Sequence, residues 1–337
     1  MVKAVKHFIG VDISKDTIDV ALIVNQQKEL VLHAQFTKDK AGLKEFIKWV
    51  TSCNVTLDEQ TVCCMEHTGL YNRSFLLFLQ QYRMLLWVEM AHHIKHSLGL
   101  QRGKSDKVDA KRIALFAYKN RDDVKMWQPA DKDIEQLKDL LAQRERLLQA
   151  KVKLSVAVQE LKQEGLKTEA KTLEQLQKPA IEGLQKSVLR VEAAIKKVVT
   201  ANERLRSKML SITSVTGVGD VIAWHLLVFT NGFKRLSNAK QLACYAGVAP
   251  FKHESGKSVR GRTRVSHMAN KKLKTLLHMG AMAAISHDSE IKAYYKRKLL
   301  EGKHKMSILN AVRNKLVQRI VAVVREEKQY VPVRIAA

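Results

Sequence analysis

The first apolar run of the chain, His7 to Val24 (HFIGVDISKDTIDVALIV), is two stretches of mostly β-branched and aromatic residues around a polar Ser14–Asp16. This pattern predicts two strands joined by a tight turn. Glu29–Phe36 predicts a third strand. Lys40–Cys53 places Leu43, Phe46, Ile47 and Val50 on one side, the signature of an amphipathic helix. The short apolar runs Thr61–Glu66 and Met84–Glu89 predict two more strands, with a helix over Leu70–Tyr82 between them and a helical turn near Ala91–Leu98 after them. Lys104–Ala114 then opens another helix.

Trp127-Gln128-Pro129 interrupts this alternation. From Asp131 to about Ser207 the chain is almost free of glycine. One stripe runs through Leu137, Leu140, Leu141, Leu147, Leu148, Leu154 and Val158, and a second through Leu184, Val188, Val191, Ile195 and Val198. Two long helices are expected, separated by Gly165 and a break at Lys178-Pro179, as an antiparallel or dimerising coiled coil. Beyond Leu210, SVTGVGDVIAWHLL resembles a helix-hairpin-helix turn, in which amides near Gly217 and Gly219 and the following helix N-terminus approach a phosphate. The same pattern also serves plain helix packing. Asn238–Pro250, Lys272–His287 and Lys305–Glu326 predict further helices. The fold class is α/β plus α, divided as 1–128, 129–207 and 208–337. Three leading antiparallel strands followed by alternating helices and strands is the order of a ribonuclease-H-like domain.

Chemistry enters through Asp12, a carboxylate in an otherwise apolar strand, with Gly10 keeping that face of the backbone open. Such a group is costly to desolvate unless a cation meets it, and a divalent metal is the commonest partner. Glu66 ends a later strand, and Asp106 and Asp109, three apart, share a helix face. Together they form an oxygen-donor set suited to Mg²⁺. Two such ions can activate an attacking oxygen and stabilise a leaving one at phosphorus. Singly, each has a plainer reading: Asp106 as a helix cap, Asp109 as a charge against the helix dipole, Glu66 as a surface strand end. Phe8, Ile9, Val11 and Ile13 make that reading hard to hold for Asp12.

The chain's 337 residues carry 59 Lys and Arg against 33 Asp and Glu, a net charge of +26, which points to a polyanionic partner and first to nucleic acid. From Phe251 onward there are 20 Lys and Arg against 6 Asp and Glu. Within FKHESGKSVRGRTRVSHMA, residues Lys252, Lys257, Arg260, Arg262 and Arg264 could clamp phosphates, the alternating arginines sharing one face if the segment is extended. Ser255 there could act as a nucleophile. On the residues alone it is not separable from Ser258, nor from a hairpin that only grips DNA. Tyr294 and Tyr295, beside Lys292, Lys296, Arg297 and Lys298, suit either base stacking or packing. The four cysteines show no zinc spacing. The start MVKAVKHFIG reads as no signal segment, and no run is long enough to span a membrane, so a cytoplasmic protein is expected.

IGVDISKD around Asp12, MEHTGLY around Glu66, GKSDKVDAKRIA around Asp106 and Asp109, SVTGVGDVIAWHL, and AGVAPFKHESGKSVRG around Ser255 together resemble the insertion-sequence transposases that carry a DEDD tetrad. That family also includes Piv-type DNA invertases. The resemblance implies a RuvC-like domain, a coiled-coil middle and a C-terminal transposase domain. It implies Mg²⁺, with Mn²⁺ as a substitute, on the four acids, and Ser255 as the residue that forms a covalent 5′-phosphoserine link to DNA. It implies a composite site between subunits of a dimer or tetramer. Its partners are donor and target double-stranded DNA and a guide (bridge) RNA, in the nucleoid of a bacterial or archaeal cytoplasm. No role passes to Arg262 or Arg264. Two rival readings are a RuvC-like nuclease or hydrolytic transposase that uses the acids alone, and a non-enzymatic basic nucleic-acid-binding protein.

Overall fold

The computed structural model describes residues 4–97, 99, 105–129, 131–255 and 259–332, and of residues 252–255, 259, 260, 262 and 263 the backbone alone. The chain forms two compact units, Met1–Pro129 and Ala130–Ala337.

The first unit is built on a five-stranded mixed sheet. Strands β1 (His7–Ile13), β2 (Thr17–Ile23) and β3 (Val31–Thr37) form an antiparallel meander. After α1 (Lys40–Ser52), strand β4 (Thr61–Glu66) pairs parallel to β1. After α2 (Leu70–Leu79), β5 (Leu85–Glu89) pairs parallel to β4, giving the order β3-β2-β1-β4-β5. Ser14 closes the β1–β2 turn, its amide donating to the Thr17 carbonyl at 3.0 Å and its hydroxyl accepting from the Thr17 amide at 3.2 Å. Helices α3 (Ala91–Ser97) and α4 (Asp106–Lys119) follow.

Alternation along the strands sorts side chains between two helical layers. Ile9, Val11, Ile18, Val20, Cys63 and Met65 face α1 and α2, meeting Phe46, Val50 and Phe75. Phe8, Ala21, Val62, Cys64 and Trp87 face Ala110, Ile113 and Ala114 of α4. The adjacent Cys63 and Cys64 thus pack into opposite layers. Gly10 does not leave its face open, as its missing side chain suggested, because α4 lies directly on it. A Cβ there would stand 2.2 Å from the Ala114 nitrogen and 2.4 Å from the Ala110 oxygen. The absent side chain is the space the helix occupies.

The second unit is helical. Helices α5 (Lys132–Gln163) and α6 (Lys167–Ala201) run antiparallel around a turn where Gly165 has φ +82°. They are stitched by Arg144 Nε to Glu192 at 2.7 Å, Lys151 Nζ to Gln185 at 2.8 Å and Lys162 Nζ to Glu174 at 2.9 Å. The coiled coil is therefore made within one chain. The expected break at Lys178-Pro179 does not occur, and α6 passes through it. Pro179 and Gln175 are exposed, so the carbonyl that loses its amide partner faces water, while packing on α5 holds the flanking turns.

Helices α7 (Glu203–Thr213), α8 (Asp220–Phe229) and α9 (Ala239–Tyr245) lead to a two-stranded hairpin, β6 (Pro250–Ser255) and β7 (Val259–Val265). Helices α10 (Lys271–His287), α11 (Ser289–Leu300) and α12 (Lys305–Glu326) complete the unit. One core joins Ile134, Leu137, Ile195 and Val199 at the root of the long helices to Leu226, Leu277, Leu316 and Ile320. No helix among the described residues is long and apolar enough to cross a membrane.

Since the atoms facing Gly10 are helix backbone and cannot turn aside, Gly10→Ala should destabilise the first unit by about 3 kcal/mol, read as a shifted midpoint in chemical denaturation.

Candidate active site

Asp12 lies one residue from the end of β1, on the face that Phe8 and Gly10 turn toward α4. Glu66 closes β4 on the same face, following Val62 and Cys64 by the period of two. Its carbonyl accepts from Asn72 Nδ2 at 2.8 Å. Asn72 Oδ1 in turn accepts from the Thr68 amide at 2.6 Å, which pins the turn after Glu66. Asp106 and Asp109 occupy the first turn of α4. That helix is capped by Ser105, whose hydroxyl accepts from the Val108 amide at 3.3 Å, so neither aspartate is needed as the cap.

The other three acids of the set lie within electrostatic reach of Asp12. Burial and then the charges of Asp106, Asp109, Glu66 and Asp19 push its carboxyl from 3.8 up to about 6. Asp109 accepts from Arg112 Nη1 at 2.8 Å. Among the described residues no group of three or more His, Cys, Asp or Glu side chains is drawn close enough to hold a metal ion. The acids act on Asp12 through their charge without being gathered into one coordination shell. Their oxygen-only donors and mutual repulsion fit a hard divalent cation.

Two further carboxylates on this face were not singled out from the sequence. Asp19, opposite Asp12 across β1 and β2, is buried and compensated by His33 Nε2 at 2.9 Å and Gln35 Nε2 at 2.8 Å. Glu89 pairs with Glu66 across β4 and β5. It accepts from the Met90 amide at 2.9 Å and the Trp87 indole at 3.3 Å, and pairs with His93 at 3.0 Å. Burial pulls its carboxyl up, but the Met90 amide, Lys125 and His93 outweigh this and hold it below the usual range. The period of two marks both positions in the sequence, but their compensation comes from neighbouring strands and loops.

The basic segment forms the β6–β7 hairpin of the second unit. Ser255 ends β6 with Val259 as its partner, and Lys252 and Arg260 lie on the two strands, their side chains outside the described residues. Lys257 and Ser258 fall wholly outside them. The strand is extended, as expected, but strict alternation does not run from Arg260 to Arg264. Three steps of β7, from Gly261 to Arg264, oppose two steps of β6, a bulge that shifts the register.

Gly217, at φ +91°, packs against α10, where a Cβ would meet the Gly280 oxygen at 2.5 Å. Gly219 is exposed and precedes α8, whose first residue, Asp220, pairs with Lys196 at 3.3 Å. Tyr294 packs on the core with Lys315 4.9 Å and Arg297 5.8 Å from its ring centre, so cations of the chain itself already engage the ring.

Comparison with known proteins bears on both units. Residues 9–163 match the family model of DEDD transposases of IS110 type, described as "Transposase", and residues 209–296 match that of the transposase IS116/IS110/IS902 family. The chain is similar to the pilin gene-inverting protein of Moraxella bovis, at 26% identity over 329 residues, 96% of this chain and 98% of that protein. The Moraxella lacunata counterpart matches to the same extent. A shorter stretch of 106 residues, 31% of this chain and 26% of the relative, is 33% identical to the insertion element IS110 43.6 kDa protein of Streptomyces coelicolor.

Because the folded chain holds the Asp12 proton more tightly than the unfolded chain, the contribution of this group to stability is intact below about pH 4. It is lost as pH rises through about 6. In chelator-treated protein at pH 7, Asp12→Asn should raise stability by on the order of 1 kcal/mol, allowing for solvent screening of a half-buried group. The variant should also flatten the fall in melting temperature between pH 4 and 7.

Proposed function

The chain belongs to the family of IS110-type DEDD transposases, enzymes of DNA recombination, and from that premise we propose that it cuts and rejoins DNA through a serine-linked intermediate. The observation that carries this reading is the placement of Asp12 and Glu66 at the ends of adjacent parallel strands, on the face that α4 covers, with Asp106 and Asp109 in the first turn of that helix. The sheet order supports a RuvC-like, ribonuclease-H-like first domain. Asp12, Glu66, Asp106 and Asp109 would hold Mg²⁺, or Mn²⁺ in its place. When bound, the ion supplies charge neutralisation at the phosphodiester and a lowered pKa for the attacking hydroxyl.

Ser255 Oγ attacks phosphorus and gives up its proton. The 3′-oxygen of the broken strand departs and takes up a proton, leaving a 5′-phosphoserine. The 3′-hydroxyl of the exchanged strand then attacks this linkage, Ser255 is released, and the number of phosphodiester bonds is unchanged. Strand exchange of this kind needs no nucleotide hydrolysis. The net charge of +26 supports polyanionic partners, and the composite site that the family resemblance implies would make the working form a dimer or tetramer. Such an assembly acts on donor and target duplexes, with a bridge RNA as guide, in the nucleoid of a bacterial or archaeal cytoplasm.

The test is a trapping assay. Protein, Mg²⁺, guide RNA and labelled cognate DNA are resolved on a denaturing gel. Wild type should give a protein–DNA adduct that both Ser255→Ala and Asp12→Ala abolish. Nicked DNA without an adduct, unchanged by Ser255→Ala, would instead establish a nuclease that uses the acids alone. Binding without any cleavage would leave an architectural protein.

A further inference from the structure

Among the described residues, the second unit holds a buried cation with no counter-charge. Arg313 of α12 is 5% exposed. Its Nη2 donates to His278 Nδ1 of α10 at 2.7 Å, and its Nε has no partner. No carboxylate offsets the burial that pulls its pKa down. A guanidinium stays charged under all ordinary conditions. One hydrogen bond to a neutral ring does not offset the desolvation of such a charge.

Its surroundings place it at the root of the β6–β7 hairpin. Asn310, one turn earlier on α12, donates from Nδ2 to the Val248 carbonyl at 2.9 Å, two residues before β6. Lys274, one turn before His278 on α10, runs along Gly247, where a Cβ would stand 3.7 Å from Lys274 Cδ. Lys274 and His278 are partly exposed, so the cluster opens to solvent on their side. Arginine can only donate, so His278 Nδ1 accepts, and in the neutral ring the proton sits on Nε2, a second outward donor.

We propose that Arg313, His278 and Lys274 form a binding site for one backbone phosphodiester of bound nucleic acid, at the base of the hairpin that carries Ser255. The two non-bridging oxygens of a tetrahedral phosphodiester can accept side by side from the planar guanidinium fork. The phosphodiester also supplies the missing charge. DNA and RNA share this group, so both are probed. The site rests on the proposed function only in requiring nucleic acid as partner.

The experiment uses the full chain in metal-free buffer. Binding of a labelled DNA duplex, and separately of a labelled single-stranded RNA, is followed across a salt series for wild type, Arg313→Met and Arg313→Lys. Thermal unfolding of each free protein is measured alongside. Arg313→Met should melt higher than wild type, bind one of the two probes about tenfold more weakly, and show a salt slope shallower by about 0.9 on the duplex or about 0.7 on the single strand. The probe affected identifies the source of the phosphate. Arg313→Lys keeps the charge and should keep the wild-type slope, which also guards against a misfolded Met variant. A salt slope equal in wild type and Arg313→Met for both probes, or a Met variant too unstable to fold while Arg313→Lys melts below wild type, makes the arginine structural and overturns the site. No cleavage is read, so that result leaves the serine chemistry standing.

Discussion

The first unit depends on the close approach of α4 to the middle of β1. Gly10 contributes no side chain, and the backbone of Ala110 and Ala114 fills the space. Small residues on the helix complete the fit, so the contact is nearly backbone on backbone. This contact carries Asp109 and Asp106, about one and two turns before Ala114, to the level of Asp12. A helix held farther out by ordinary side chains would keep the same acids in sequence but separate them in space. The strand end is fixed independently, by Asn72 at the turn after Glu66. The acids are therefore positioned from three directions by elements that the sheet itself makes rigid.

Among the described residues, each unit considered by itself holds a charge that burial leaves poorly compensated. On the sheet, Asp19 and Glu89 are matched by His33, Gln35, His93 and Lys125, so the fold is able to satisfy acids where they are structural. Around Asp12 it does not, and the proton affinity of that carboxyl rises to about 6. In the helical unit, Arg319 is paired with Asp288 at 2.7 Å and with Glu290, while Arg313 one and a half turns earlier has only a histidine. Compensated neighbours make these two exceptions informative. On the function proposed, an acidic set that would take a cation and a buried cation that would take an anion both suit phosphodiester chemistry.

Much of this was legible in the sequence because it follows from period and punctuation. The alternation around His7–Val24 gave the hairpin, and the three-residue spacing of Asp106 and Asp109 put them on one helix face. What escaped depends on three-dimensional context. Pro179 punctuates a sequence, but on the wet side of a long packed helix it does not end one. Gly10 looked like an opening because a sequence does not show which helix will cover it. Alternation from Arg260 to Arg264 failed at a bulge, which one extra residue creates without a distinctive composition. Arg313 looked like one more basic residue on a basic helix. Only its burial against α10, without an acid, sets it apart.

The two candidate chemical elements differ in mechanical character, and the difference suits their tasks. The acids are mounted on a five-stranded sheet covered on both faces. Ser255 ends one strand of a hairpin whose strands pair only with each other. A two-stranded ribbon has little stability of its own, so its position is set at the root. There Asn310 holds the Val248 carbonyl, and Asn270 donates from its amide to the Tyr245 carbonyl at 2.8 Å and from Nδ2 to the Tyr245 hydroxyl at 2.9 Å. A metal-holding centre gains from rigidity, since misplacement of a ligand weakens the ion. The nucleophile proposed at Ser255 would stay bound to one strand end while another is brought to it, and an element anchored at its base suits that task. If the phosphate proposed for Arg313 binds at that base, the same contact that holds the nucleic acid also stiffens the root of the ribbon.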